Sequence, residues 1–144
     1  MVNFISETIL NNEEESRIFA VNLAKTIKKG DIITFTGELG SGKTFLCREI
    51  IRYFCGINTN VSSPTFNLLQ TYTATNFTIY HFDLYRLKSK YEIYELGIED
   101  AFHNDICLIE WPEIINEILP LPIIRINLEM EKNNQRICNV TLIP

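Results

Sequence analysis

One stretch constrains this chain more than any other: Gly37-Glu38-Leu39-Gly40-Ser41-Gly42-Lys43-Thr44, which is G-x-x-x-x-G-K-[ST]. Asp31 to Thr36, before it, is apolar and β-branched and predicts a buried strand. Thr44 to Phe54, after it, predicts a helix whose apolar face carries Leu46, Ile50, Tyr53 and Phe54. Strand, glycine-rich loop and helix together specify a phosphate-binding loop. Glycines let the backbone turn its N–H groups inward as a nest for anions, and the helix N-terminus adds unpaired donors. Gly37 to Lys43 are therefore candidate phosphate ligands. Lys43 supplies the point charge for the β- and γ-phosphates, and the Thr44 hydroxyl is a candidate Mg²⁺ ligand.

The remaining segments build an α/β chain around that loop. Val2 to Ile5 predicts a short strand. Asn11 or Asn12 caps a helix with Glu13-Glu14-Glu15 in its first turn and Ala20, Leu23, Ala24 and Ile27 on one face. Lys25, Lys28 and Lys29 suit its C-terminal end, with Gly30 as the stop. Asn67 to Thr73 and Phe77 to Leu84 predict a hairpin about Ala74-Thr75-Asn76. Arg86 to Asn104 predicts one or two short helices broken near Gly97. Ile106 to Ile109 predicts a central strand, and Glu113 to Leu119 a short helix. Alternation in 124–130 and 138–142 predicts a closing hairpin. The expected fold is a three-layer α/β sandwich of the P-loop nucleotidase kind, with a mixed, partly antiparallel sheet, and residues 1–144 form one domain.

Composition narrows the function. A net charge of −5 disfavours a broad nucleic-acid surface, so DNA is not an expected partner. No apolar run is long enough to span a bilayer, and Met1 to Glu7 lacks the shape of a signal peptide. The four cysteines, Cys47, Cys55, Cys107 and Cys138, fit no zinc spacing and are expected as free thiols.

Hydrolysis of a bound nucleotide also needs an acid near the metal and a group to place water. Glu110 ends an apolar strand and is a candidate magnesium ligand and catalytic residue. Asp83 ends another and is a candidate catalytic residue, on the metal shell or on the attacking water. His81 shares a strand face with Asp83, where it assists or packs. Arg86 lies near these acids, with a solvated salt bridge as its default. The six arginines are scattered and form no lid.

Four blocks occur in order: the loop from Thr36 to Thr44, Ser62-Ser63-Pro64-Thr65-Phe66, His81-Phe82-Asp83-Leu84-Tyr85-Arg86, and Ile109-Glu110-Trp111-Pro112. In these the chain closely resembles the bacterial TsaE (YjeE) family of tRNA threonylcarbamoyladenosine biosynthesis. The resemblance implies a cytoplasmic P-loop ATPase using ATP and Mg²⁺, working with TsaD-like and TsaB-like partners that handle the tRNA. It implies that Thr44 and Glu110 hold Mg²⁺, that Asp83 is essential to hydrolysis, and that Ser62 to Phe66, with Thr65, is a switch at the γ-phosphate. Glu38 and Ser41, where relatives often carry Asp and Ala, are expected to present mainly backbone. The choice of ATP over GTP rests mainly on the resemblance. A small P-loop kinase and a nucleotide-dependent binding switch are the competing readings.

Overall fold

The computed structural model describes residues 3–144. Seven strands form one mixed sheet: β1 (Asn3–Leu10), β2 (Ile32–Gly37), β3 (Leu69–Thr73), β4 (Thr78–Asp83), β5 (Ile106–Glu110), β6 (Ile123–Met130) and β7 (Arg136–Ile143). Their order is β1-β7-β6-β2-β5-β4-β3. The inner four, β6-β2-β5-β4, run parallel, while β3, β7 and β1 add antiparallel edges. The first strand is longer than expected; Val2, where its start was expected, lies outside the described residues.

Strand alternation divides the core into two. Ile33 and Phe35 of β2, Ile106 and Leu108 of β5, and Ile126 and Leu128 of β6 pack under α1 (Glu13–Ala24) and α2 (Lys43–Cys55). Ile32, Cys107, Ile109 and Ile123 face the other way. There they meet α3 (Glu92–Glu95), α4 (Ile98–Asn104) and the 3₁₀ helix Pro112–Ile118. The result is the three-layer mixed α/β sandwich expected from the sequence.

Three local expectations change. First, α1 ends at Ala24, and Lys25, Lys28 and Lys29 lie beyond it. The chain tightens there: Thr26 N–H and its hydroxyl both donate to Leu23 O, and Ile27 N–H donates to Ala24 O. Second, the buried face of α2 carries Lys43, Leu46, Cys47, Ile50 and Ile51, with Phe54 half-buried against it. That arc centres between Ile50 and Phe54, so Tyr53 falls past its rim and is exposed. Third, the short helix expected over Glu113 to Leu119 is present one residue earlier, as Pro112–Ile118, and winds as 3₁₀. The N-terminal cap is settled as Asn12, whose side chain accepts from Glu15 N–H at 2.9 Å, while Glu15 accepts from Asn11 N–H at 3.0 Å.

The topology concentrates chemistry at one edge. The parallel register pairs Phe35 with Glu110 and Asp83 with Glu110. The C-terminal ends of β2, β5 and β4 therefore lie side by side, where parallel α/β sheets place their ligands.

Candidate active site

The loop Gly37–Thr44 leaves β2 at that edge. Gly37 has φ 144°, and a Cβ there would sit 2.5 Å from Leu128 O and 2.7 Å from Ser41 Oγ. Only glycine fits against the neighbouring strand. Gly42, at φ 107°, is the left-handed residue from which α2 starts.

Lys43 begins α2 and folds back across the loop. Its ammonium donates to Gly37 O at 2.6 Å, Glu38 O at 2.9 Å and Ser41 Oγ at 3.4 Å. It also lies 4.2 Å from the centre of the Trp111 ring. Burial pushes its pKa down, and the nearby charges of Glu110 and then Asp83 oppose that shift. Glu38 offers Lys43 its main-chain carbonyl. Ser41 contributes more than backbone, because its buried hydroxyl touches Lys43.

The two acids come together with the loop. Glu110 is buried: Oε1 accepts from the Thr44 hydroxyl at 2.8 Å, and Oε2 lies 2.6 Å from His81 Nε2. A carboxylate only accepts, so the ring donates through Nε2. Asp83 Oδ2 accepts from Thr65 Oγ1 at 2.9 Å, and Oδ1 accepts from Tyr85 N–H at 3.1 Å. Ser63 Oγ lies 2.7 Å from Thr65 Oγ1, tying the Ser62–Phe66 segment to the acid. Lys43, Thr44, Thr65, Asp83 and Glu110, with Leu39, Gly40 and Gly42, line one cavity of about 250 Å³. No arginine lines it among the described residues.

The donor set fits magnesium. Adjacent oxygens on an octahedral Mg²⁺ with bonds of 2.0–2.1 Å lie about 2.9 Å apart. Thr44 Oγ1 and Glu110 Oε1 are 2.8 Å apart. A second cluster, Cys47, His81 and Glu110, brings three ligand-type atoms within 4.8 Å. It does not fit zinc. Two tetrahedral ligands about 2.0–2.1 Å from zinc stand about 3.3 Å apart, wider than the His81–Glu110 contact. Burial, with the charges of Glu110 and Asp83, also pushes the Cys47 thiol well above its usual range, against the thiolate that zinc requires.

Two residues behave differently from their sequence reading. Arg86 forms no salt bridge within the described residues; its guanidinium sits 4.3 Å from the centre of the exposed Phe66 ring. Arg136, read as one of the scattered arginines, reaches the outer side of the loop. Its Nε donates to Ser41 O at 2.8 Å and its Nη2 to Gly40 O at 3.2 Å, while Nη1 donates to Asn134 O at 3.1 Å. It borders a second cavity of about 460 Å³, walled also by Asn11, Asn12, Ser41, Gly42 and Phe45. No sequence signal pointed to it, because its partners are main-chain carbonyls. The four cysteines are free, as expected.

A family model described as "Threonylcarbamoyl adenosine biosynthesis protein TsaE" matches residues 10–138. The chain belongs to the TsaE family. It is 58% identical over 136 residues to the tRNA threonylcarbamoyladenosine biosynthesis protein TsaE of Rickettsia bellii, covering 94% of each chain. It is 33% identical over 133 residues to TsaE of Bacillus subtilis, covering 92% of this chain and 82% of that one. The crystal structure of B. subtilis YdiB superposes with a TM-score of 0.83 at 29% identity, covering all of this chain and 88% of the other. Membership of this family of threonylcarbamoyl adenosine biosynthesis proteins is thus shown by sequence, and the YdiB likeness extends to the whole fold. No helix of the described residues is long and apolar enough to cross a membrane.

Proposed function

We propose that this chain is a Mg²⁺-dependent ATPase of tRNA N6-threonylcarbamoyladenosine biosynthesis, acting in the cytoplasm to support turnover of TsaB-like and TsaD-like partners. The observation that carries the reading is the Thr44–Glu110 pair, 2.8 Å apart, in one cavity with Lys43 and Asp83 at the end of a parallel sheet. Phosphate binding falls to the Gly37–Lys43 backbone and to the Lys43 ammonium. Lys43 is held by loop carbonyls at 2.6 and 2.9 Å, which γ-phosphate oxygens replace. Thr44 and Glu110 would hold Mg²⁺, which neutralises charge building on the β- and γ-phosphates.

Asp83 stands opposite, with one oxygen fixed by Tyr85 N–H and the other on the Thr65 hydroxyl. In this reading that carboxylate–hydroxyl pair orients the attacking water. A bond forms from the water oxygen to the γ-phosphorus, and the bond to the β,γ-bridging oxygen breaks. The larger cavity beyond Ser41 and Gly42, bordered by Asn11, Asn12 and Arg136, takes the nucleoside.

Among the described residues the cavity carries one cation, Lys43, and no arginine. An arginine supplied from outside accelerates such reactions by about 10³–10⁵-fold. The chain alone is therefore expected to hydrolyse ATP slowly and to need partners, with tRNA bound by them rather than by this acidic chain. The test is steady-state phosphate release, with binding measured in parallel, by the chain alone and with purified TsaB-like and TsaD-like proteins, with and without tRNA. A slow basal rate, raised by partners that bind in a nucleotide-dependent way, is expected. Fast hydrolysis by the lone chain, unaffected by partners and without complex formation, contradicts it.

A further inference from the structure

His81 has no role in the reading above, yet it is fully buried beside the candidate metal ligand. Its ring is 0% exposed and its Nε2 lies 2.6 Å from Glu110 Oε2. Its other nitrogen, Nδ1, has no hydrogen-bond partner among the described residues. Burying a ring with one unsatisfied nitrogen costs free energy that an apolar residue would avoid. Packing alone therefore does not account for histidine here, so the single bond it makes has to explain its presence.

That bond separates the two oxygens of one carboxylate. Oε1 faces Thr44 and the cavity; Oε2 is turned inward and occupied by the ring. The β4–β5 register, pairing His81 with Leu108 and Asp83 with Glu110, puts the ring one pleat behind the acids on the α2 face. The Cys47 thiol, held protonated by burial, closes the pocket around the same carboxylate.

We infer that His81 is a positioning residue that holds Glu110 through Oε2 so that only Oε1 is presented to the divalent cation. This rests on the magnesium reading above. A carboxylate with one oxygen tied back is a one-point ligand, which suits small octahedral Mg²⁺. A released carboxylate offers both oxygens, as Ca²⁺ sites with six to eight ligands often use them. Outer-shell partners of this kind typically govern metal affinity by about 10- to 100-fold. His81 is thus a determinant of Mg²⁺ over Ca²⁺ selectivity, without touching the cation or the nucleotide.

The experiment compares His81→Gln and His81→Asn with the parent chain, using a non-hydrolysable ATP analogue titrated with Mg²⁺ or Ca²⁺. Glutamine carries an amide N–H at the reach of Nε2; asparagine falls one bond short. Expected is about a tenfold loss of apparent Mg²⁺ affinity in His81→Asn, with selectivity shifted toward Ca²⁺, and a value within about threefold of the parent in His81→Gln. Parent-like Mg²⁺ affinity in His81→Asn, or equal losses in both variants, overturns the inference. Absence of any Mg²⁺ dependence in the parent chain overturns the magnesium reading beneath it. Imidazole ¹⁵N shifts of the parent chain give a result that does not depend on a variant folding. A ring protonated at Nε2, with a shift that moves when Mg²⁺·ADP is added, supports the inference. A neutral ring protonated at Nδ1 overturns it.

Discussion

The loop Gly37–Thr44 has two sides, and they are built on different principles. Its inner side meets the ends of β4 and β5, where Lys43, Thr44, Asp83 and Glu110 converge on one small cavity. Its outer side meets the start of β7, where Arg136 holds the carbonyls of Gly40 and Ser41 beside a larger cavity. The inner side is a set of converging side chains, which the proposed function reads as phosphate, metal and water ligands. The outer side is a brace, in which one side chain clamps main chain. On the proposed reading, chemistry belongs to the first, and the shape of the loop depends on the second.

The largest expected effect breaks the inner side. Lys43→Ala removes the only cation that lines the cavity among the described residues and should weaken ATP binding by about 3 kcal/mol, roughly a hundredfold, by calorimetry. Unchanged affinity would remove phosphate binding from this loop. Since burial lowers the Lys43 pKa, its charge is lost at lower pH than that of a free lysine. Affinity should therefore fall as pH rises through that lowered value.

Next come the two acids. Asp83→Asn should cut phosphate release by about a hundredfold or more while leaving nucleotide affinity within a few-fold. Glu110→Gln should also cut release and, unlike Asp83→Asn, weaken the dependence on Mg²⁺. Parent-like hydrolysis by both variants would mean that the convergence at this edge is structural.

The smallest effect tests the brace. Arg136→Ala should cost about 1.5–3 kcal/mol of stability in denaturant unfolding and weaken nucleotide binding by about tenfold, with hydrolysis of bound ATP little changed. Arg136→Lys should not restore it, since a single ammonium does not reproduce the three separate nitrogens that the planar guanidinium directs at Ser41 O, Gly40 O and Asn134 O. If Arg136→Ala reduced hydrolysis as Asp83→Asn does, the two sides would not be separable.

The same division explains what the sequence revealed. Inner-side chemistry demands particular residue types at particular spacings, so the loop, Asp83 and Glu110 were readable before any fold was known. The central strand was readable as an unbroken apolar run, buried on both faces, the first hairpin from two strand-like runs about a polar turn, and the closing hairpin because its alternation repeats every two residues. Arg136 was not, because it lies 95 positions from Ser41 and carbonyl acceptors leave no mark on residue identity. His81 was placed on the face of Asp83, but its partner is Glu110 on the adjoining strand, and that needs the β4–β5 pairing. Tyr53 was misplaced because spacing fixes a helical stripe but not where its edges meet the sheet.

A crystal structure of the chain with Mg²⁺ and a non-hydrolysable ATP analogue tests both sides at once. Expected are β- and γ-phosphates on the loop N–H groups and Lys43, Mg²⁺ at Thr44 and Glu110, and the base in the cavity bordered by Arg136. Phosphates bound elsewhere, or a nucleotide seated with Thr44 and Glu110 still paired only to each other, would contradict it.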